Sequence, residues 1–130
     1  VGSLDHYRAP QLDIFVGDIF TVTPELLGPV DAIYDRAALV ALPRDMRARY
    51  AEHLMTLTGQ APQLLISFEY DQRVMEGPPF SVSNEEIREN YGQRYGIRVL
   101  TSLDVPGGLK GRCPAEEAVY LLVKNRLGRI

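Results

Sequence analysis

Short apolar runs alternate along this chain with segments whose apolar positions recur at helical spacing, the rhythm of strands joined by crossover helices in an α/β fold. The first strand is predicted at 12–16 (Leu-Asp-Ile-Phe-Val), stopped by Gly17-Asp18. Thr23-Pro24-Glu25 then places a capping oxygen before a proline at the first helical position, and Gly28 ends what is one short turn of helix. A second strand is predicted at 30–34, ending at Asp35-Arg36. Beyond the apolar run 37–42, Pro43 opens a helix in which Met46, Tyr50, Leu54 and Leu57 share one face, Arg44, Asp45, Arg47, Arg49 and Glu52 lie elsewhere, and Gly59 is the terminator. The third strand, 64–68, runs into Glu69-Tyr70-Asp71, and Gly77-Pro78-Pro79-Phe80 reads as a stiff loop. Ser83 and Glu86 stand at capping-box spacing, predicting a helix to about Gly92; strands follow at 97–103 and 118–123, separated by a Pro106-Gly107-Gly108 turn.

With 130 residues, 45% hydrophobic and 24% charged, the chain is expected to form a single domain, 1–130, large enough for a core without disulfides or structural metal. The lone Cys113 cannot form an internal bridge, and the expectation is a reducing, cytoplasmic compartment. Fourteen basic and seventeen acidic residues leave a net charge of -3 without like-charge runs, which argues against a nucleic-acid partner. The longest apolar stretches fall far short of the ~18 residues that span a bilayer, so no membrane partner is expected, and no signal peptide is visible. Because the chain opens on Val1 and not Met, it is expected to be processed or excerpted from a longer one.

Ligands in open α/β sheets sit at the carboxyl ends of strands, and those ends carry Asp18, Asp35-Arg36 and Glu69-Tyr70-Asp71. This is either a ligand crevice or the ordinary polar surface where strands stop. Glu69 and Asp71 leave a strand on the same face and could work as an acid and base; capping or simple solvation is the commoner fate of such residues. A partly buried Arg36 would need an anionic or planar partner, either a ligand or an internal acid. His6, in an expected loop, and His53, on the helix, have no ligand-spaced companions and are expected to be solvated, with no metal site. Cys113 has no histidine placed beside it by sequence, and a glycine-rich phosphate loop and a nucleophile elbow are both absent.

Five blocks carry more specific information: Gly17-Asp18-Ile19-Phe20, the run from Asp31 through Asp35-Arg36-Ala37-Ala38-Leu39 to Leu42, Glu69-Tyr70-Asp71, Gly77-Pro78-Pro79-Phe80-Ser81-Val82, and Glu117-Ala118-Val119-Tyr120-Leu121-Leu122. Their order and spacing, over nearly the whole chain, resemble the thiopurine S-methyltransferases, the bacterial branch most closely. The resemblance implies the C-terminal part of a Rossmann-like S-adenosylmethionine-dependent methyltransferase sheet, seven-stranded in the family with strand order 3-2-1-4-5-7-6. The family's first strands, its cofactor glycine loop and an N-terminal tryptophan over the cofactor would all precede this chain. Without them the isolated chain is expected to lack a complete cofactor pocket, to detach the strand at 12–16 from the sheet, and to bare the edge of the strand ending at Tyr34, inviting self-association. A full-length protein of the family is expected to be a monomer.

What the resemblance implies for chemistry is direct displacement, a thiol or thiolate sulfur attacking the sulfonium methyl of S-adenosylmethionine, with positioning as the main source of rate. It assigns Arg36 to catalysis and to both ligands, Asp18 and Ile19 to the adenine side of the cofactor, and Pro78, Pro79 and Phe80 to a flat wall for a heterocyclic or aromatic thiol. A further cation near the substrate would be Lys110 or Arg112. Bacterial relatives are also linked to selenium and tellurium compounds. Against the enzyme stand two other readings: a truncated, non-catalytic piece that keeps an interaction surface, and a small α/β ligand-binding module using the same strand ends.

Overall fold

The computed structural model describes residues 4–125, which form two sheets and three α-helices. Strands β1 (Asp5–Ala9) and β2 (Leu12–Val16) make an antiparallel hairpin of their own. The hairpin was not legible as such, and His6 is a strand residue, not a loop one: its ring stacks on Phe15 at 4.2 Å and its Nε2 meets Asp13 at 2.8 Å. This pairing, with Arg8, holds the Asp13 carboxyl below its ordinary pKa.

The main sheet runs β3-β4-β6-β5, from β3 (Ile33–Asp35), β4 (Gln63–Tyr70), β5 (Tyr95–Asp104) and β6 (Ala115–Lys124). This is the 4-5-7-6 half of the expected order, with β3 parallel to β4 and β6 antiparallel to both of its neighbours. The strand expected at 30–34 is shorter and shifted, because Ile33 is the first residue to pair with β4. Strand β5 carries a bulge between Val99 and Thr101.

Helix α1 (Pro24–Leu27) is capped by the Thr23 hydroxyl, which accepts from Leu26 N at 3.2 Å, and ends at Gly28. Helix α2 (Arg44–Thr58) starts after Pro43 and stops at Gly59, whose φ of 66° is left-handed and suits glycine. Helix α3 (Asn84–Tyr91) begins where Ser83 Oγ accepts from Glu86 N at 3.1 Å. Only half of the expected capping box forms, because the Glu86 side chain turns away to an arginine on α2.

Alternation along β4 decides where the core sits. Gln63, Leu65 and Ser67 are buried, and Leu65 belongs to one core cluster with Tyr120 and Leu122 of β6, Tyr50, Leu54 and Met55 of α2, and Ile87 and Tyr91 of α3. Burying such side chains contributes roughly 1.5–3 kcal/mol each. All three helices add to this one core. The opposite face offers Leu64, 37% exposed, and Val123, 46% exposed, and beside them Tyr34 on the edge strand is 63% exposed.

Among the described residues β3 has no second strand partner. A free edge next to apolar side chains is a template for pairing with another chain. The isolated 130-residue chain is therefore expected to sediment at equilibrium as dimers or larger species. A monodisperse, cooperatively unfolding monomer would count against this.

Candidate active site

The carboxyl end of β3 separates its two charges. Strand residues alternate sides, so Asp35 enters the core at 2% exposure while Arg36 goes out to solvent. Asp35 accepts from Tyr50 Oη at 2.7 Å and from Leu39 N at 3.2 Å, and the chain between them passes through Ala37 at a left-handed φ of 65°. Burial pushes the Asp35 carboxyl above its ordinary pKa, against the pull of these hydrogen bonds. Burial and the neighbouring carboxylate push the Tyr50 phenol up as well. Arg36 is neither half-buried nor paired with an internal acid; among the described residues no hydrogen bond or ion pair holds its guanidinium.

At the end of β4 the tyrosine matters more than its acidic neighbours. Asp71 is occupied by Arg73, with Nε and Nη2 each 2.9 Å from a carboxylate oxygen, and these bonds hold its carboxyl below the ordinary range. Glu69 lies opposite Glu116 on β6, which in turn lies opposite Asp104 on β5. Like charges in such a row are mutually unfavourable, and no acid–base pair of Glu69 and Asp71 forms. Tyr70, by contrast, fastens the proline loop: its hydroxyl donates to the Pro79 carbonyl at 2.6 Å and accepts from Gln72 Nε2 at 2.9 Å. The Tyr70 N–H donates to Ser81 Oγ at 2.9 Å, while Gln72 Oε1 accepts from Ser81 N at 2.8 Å.

Both peptide bonds entering the prolines, Gly77-Pro78 and Pro78-Pro79, are cis. Gly77 is required twice over, by a φ of 95° and by the Phe80 ring, which lies 2.8 Å from where a Cβ would stand. Lys110 Nζ donates to the Pro78 carbonyl at 2.8 Å, whereas Arg112 is exposed beside the turn at Gly107-Gly108. Of the two candidate cations, the structure thus brings Lys110 to the wall. Phe80 N donates to the Val40 carbonyl at 2.6 Å, which joins the wall to the segment that begins at Arg36.

Asp18 and Ile19 lie on a different wall. The Asp18 carboxylate caps a 3-10 turn (Ile19–Thr21) by accepting from Phe20 N at 2.9 Å. Ile19 lines an apolar groove of about 360 Å³ with Val22, Ile33, Leu54 and Leu57. His53 is not simply solvated, since its Nε2 lies 2.9 Å from the Ile19 carbonyl and its ring packs on Phe20. Arg49 covers the same Phe20 ring at 4.5 Å. Cys113 is buried, 4% exposed, in a small cluster with Met75, Leu109 and Ala115.

Sequence reasoning missed three participants. Tyr70 was named with the strand end Glu69-Tyr70-Asp71 but given no role of its own, Gln72 carried no pattern, and Arg47, assigned away from the apolar face of its helix, is buried at 4% exposure. Arg47 and Glu86 are 39 positions apart, so no local spacing could reveal their bond.

The chain resembles known proteins along the same residues. A family model described as Thiopurine S-methyltransferase (TPMT) matches residues 1–124. A thiopurine S-methyltransferase of Xanthobacter autotrophicus is 61% identical over 121 residues, covering 93% of this chain and 57% of the relative. One of Gluconobacter oxydans is 55% identical over 120 residues (92% of this chain, 54% of the relative), and one of Pseudomonas fluorescens 41% identical over 128 (94% and 59%). The chain therefore spans somewhat more than half the length of these curated relatives. A match over nearly every described residue, on the blocks that build the Arg36 strand end and the Pro78–Pro79–Phe80 wall, places this chain in the thiopurine S-methyltransferase family.

Proposed function

We propose that this chain supplies the thiol-binding half of an S-adenosylmethionine-dependent methyltransferase acting on the sulfur of aromatic or heterocyclic thiols. The observation that carries the reading is the link between an exposed guanidinium at Arg36, without a partner among the described residues, and a rigidly fastened wall at Pro78, Pro79 and Phe80, made through Phe80 N and the Val40 carbonyl. Neither feature is needed by the core.

The residues present fit one side of the cofactor. The apolar groove beside Ile19 suits a purine, Asp18 keeps one carboxylate oxygen outside its capping bond, and Arg36 suits a carboxylate. Among the described residues no strand is followed by a glycine-rich loop that opens an α-helix and could cradle the rest. When bound, S-adenosylmethionine supplies an electrophilic methyl group on a sulfonium.

The chain's own residues would do the remaining work. Pro78 and Pro79 present a flat apolar surface and Phe80 a ring for stacking, which orients a planar thiol and keeps water from its sulfur. The positive charge of Arg36 favours the thiolate by proximity, lowering the pKa of a bound thiol. An aromatic thiol ionises readily enough that this suffices without a general base. Lys110, tethered to the Pro78 carbonyl, adds a second positive charge at the wall.

Two titrations test the reading, with S-adenosylhomocysteine as the probe. The first uses the isolated chain; the second uses an extended protein in which the unmatched part of the Xanthobacter autotrophicus relative is fused ahead of Val1. The isolated chain is expected to give little or no heat and the extended protein saturable binding, together with methylation of para-nitrothiophenol. A folded extended protein that binds the probe but methylates no aromatic thiol would sink the proposal.

A further inference from the structure

Arg47 and Glu86 form the most enclosed ion pair among the described residues, each side chain 5% exposed. The fork is bidentate, Nε to Oε2 at 2.6 Å and Nη2 to Oε1 at 3.0 Å. The third branch, Nη1, donates to the Leu42 carbonyl at 2.9 Å. From the exposed side Arg44 Nη1 comes within 3.5 Å of Glu86 Oε1. The guanidinium carbon of Arg47 stands 5.9 Å from the centroid of the Phe80 ring. Ring and pair together line a cleft of about 450 Å³ with Pro43, Gln72 and Ser83.

A buried ion pair is a poor source of stability, because desolvation of both charges offsets most of their attraction and apolar residues of the same volume often do as well. What such a pair does provide is orientation, since a planar fork satisfies a carboxylate in one geometry. Here the fork reaches three segments at once. It holds α3 through Glu86, the end of the stretch leading from Arg36 through Leu42, and the aromatic member of the wall through its π face. Besides this pair and the shared core packing of Val40 with Val82, the bond from Phe80 N to Val40 O joins the stretch from Arg36 to the proline loop.

We infer that Arg47 and Glu86 are positioning residues of the thiol site, setting the Phe80 ring at a fixed distance and tilt from the Arg36 strand end. The inference rests on the proposed role of the wall. It predicts that the pair governs affinity for the planar thiol and leaves the cofactor side untouched, because Asp18 and Ile19 are held by α2 through His53 and Phe20 instead.

The test is Arg47→Lys in the extended protein, which keeps the charge and loses the fork. The KM for para-nitrothiophenol is expected to rise about ten-fold, with kcat within about two-fold and the Kd for S-adenosylhomocysteine unchanged. Phe80→Leu should raise KM similarly, and the double variant should be no worse than Phe80→Leu alone, since Arg47 acts through the ring. Glu86→Asp, which keeps both charges and shortens the reach, should reproduce the KM effect if Arg47→Lys does not fold. Unchanged KM, additive effects in the double variant, parallel loss of thiol and cofactor affinity, or failure of both single variants to fold would each overturn the inference. A parent protein that binds the probe yet turns over no thiol would instead sink the reading of the wall.

Discussion

Replacing Arg36 by methionine is expected to slow methyl transfer to an aromatic thiol by about a hundred- to a thousand-fold near neutral pH, the usual cost of removing one charge-stabilising donor from an active site. The size of the effect follows from where the side chain stands. It is exposed and, among the described residues, its guanidinium holds nothing else in place, so its removal should change folding stability by no more than about 0.5 kcal/mol. Activity and stability are thereby separable in this variant. Because the role proposed for the guanidinium is to favour the thiolate, the deficit should be largest below the thiol's own pKa and shrink above it, where the sulfur is already ionised. Arg36→Lys should recover part of the rate, having the charge without the planar fork. Rates measured across pH in the extended protein decide the matter: a deficit under three-fold at every pH would remove Arg36 from the site.

The companion prediction concerns the buried side of the same strand end. Tyr50→Phe removes the hydroxyl that donates to Asp35 at 2.7 Å and should destabilise the fold by about 1–3 kcal/mol near neutral pH. Burial has raised the Asp35 pKa above that of the unfolded chain, so the folded state binds the proton more tightly. The associated stability is present below the unfolded value, near 3.9, and is lost as pH rises through the raised folded value. The Tyr50 hydrogen bond opposes that loss by stabilising the carboxylate. Removing it moves the folded pKa further up, so the variant should suffer more at about pH 7 than at about pH 4. Equal losses in urea unfolding at the two values would mean that the hydroxyl does not support an ionised Asp35.

Much of the architecture was legible because it rests on local chemistry. Thr23 before Pro24, Gly59 after Thr58 and Ser83 before Asn84 each mark a helix boundary through a bond made within a few residues, and each is found in place. The sheet order came from resemblance, since nothing in the pattern of an apolar run says which neighbour it will pair with. The site was legible as a set of strand ends but not as a set of contacts. Arg36 and the wall were named, yet the groups that fix the wall, Tyr70, Gln72 and Lys110, act through carbonyls and hydroxyls whose direction no spacing encodes. Arg47 was misplaced for a related reason. Helical periodicity sorts residues by polarity, and a buried guanidinium on a helix becomes possible only when a distant Glu86 arrives to pair with it.

Strand β6 sits between β4 and β5, although it follows both in the chain. During synthesis, therefore, neither β4 nor β5 can find its central partner until the stretch Ala115–Lys124 has left the ribosome. Pairings of this kind are formed late and leave apolar strand edges open to other chains while they wait. For a nascent polypeptide the consequence is a folding step that depends on one late segment, and a stop codon ahead of Ala115 would deprive the sheet of its middle and not merely shorten its end.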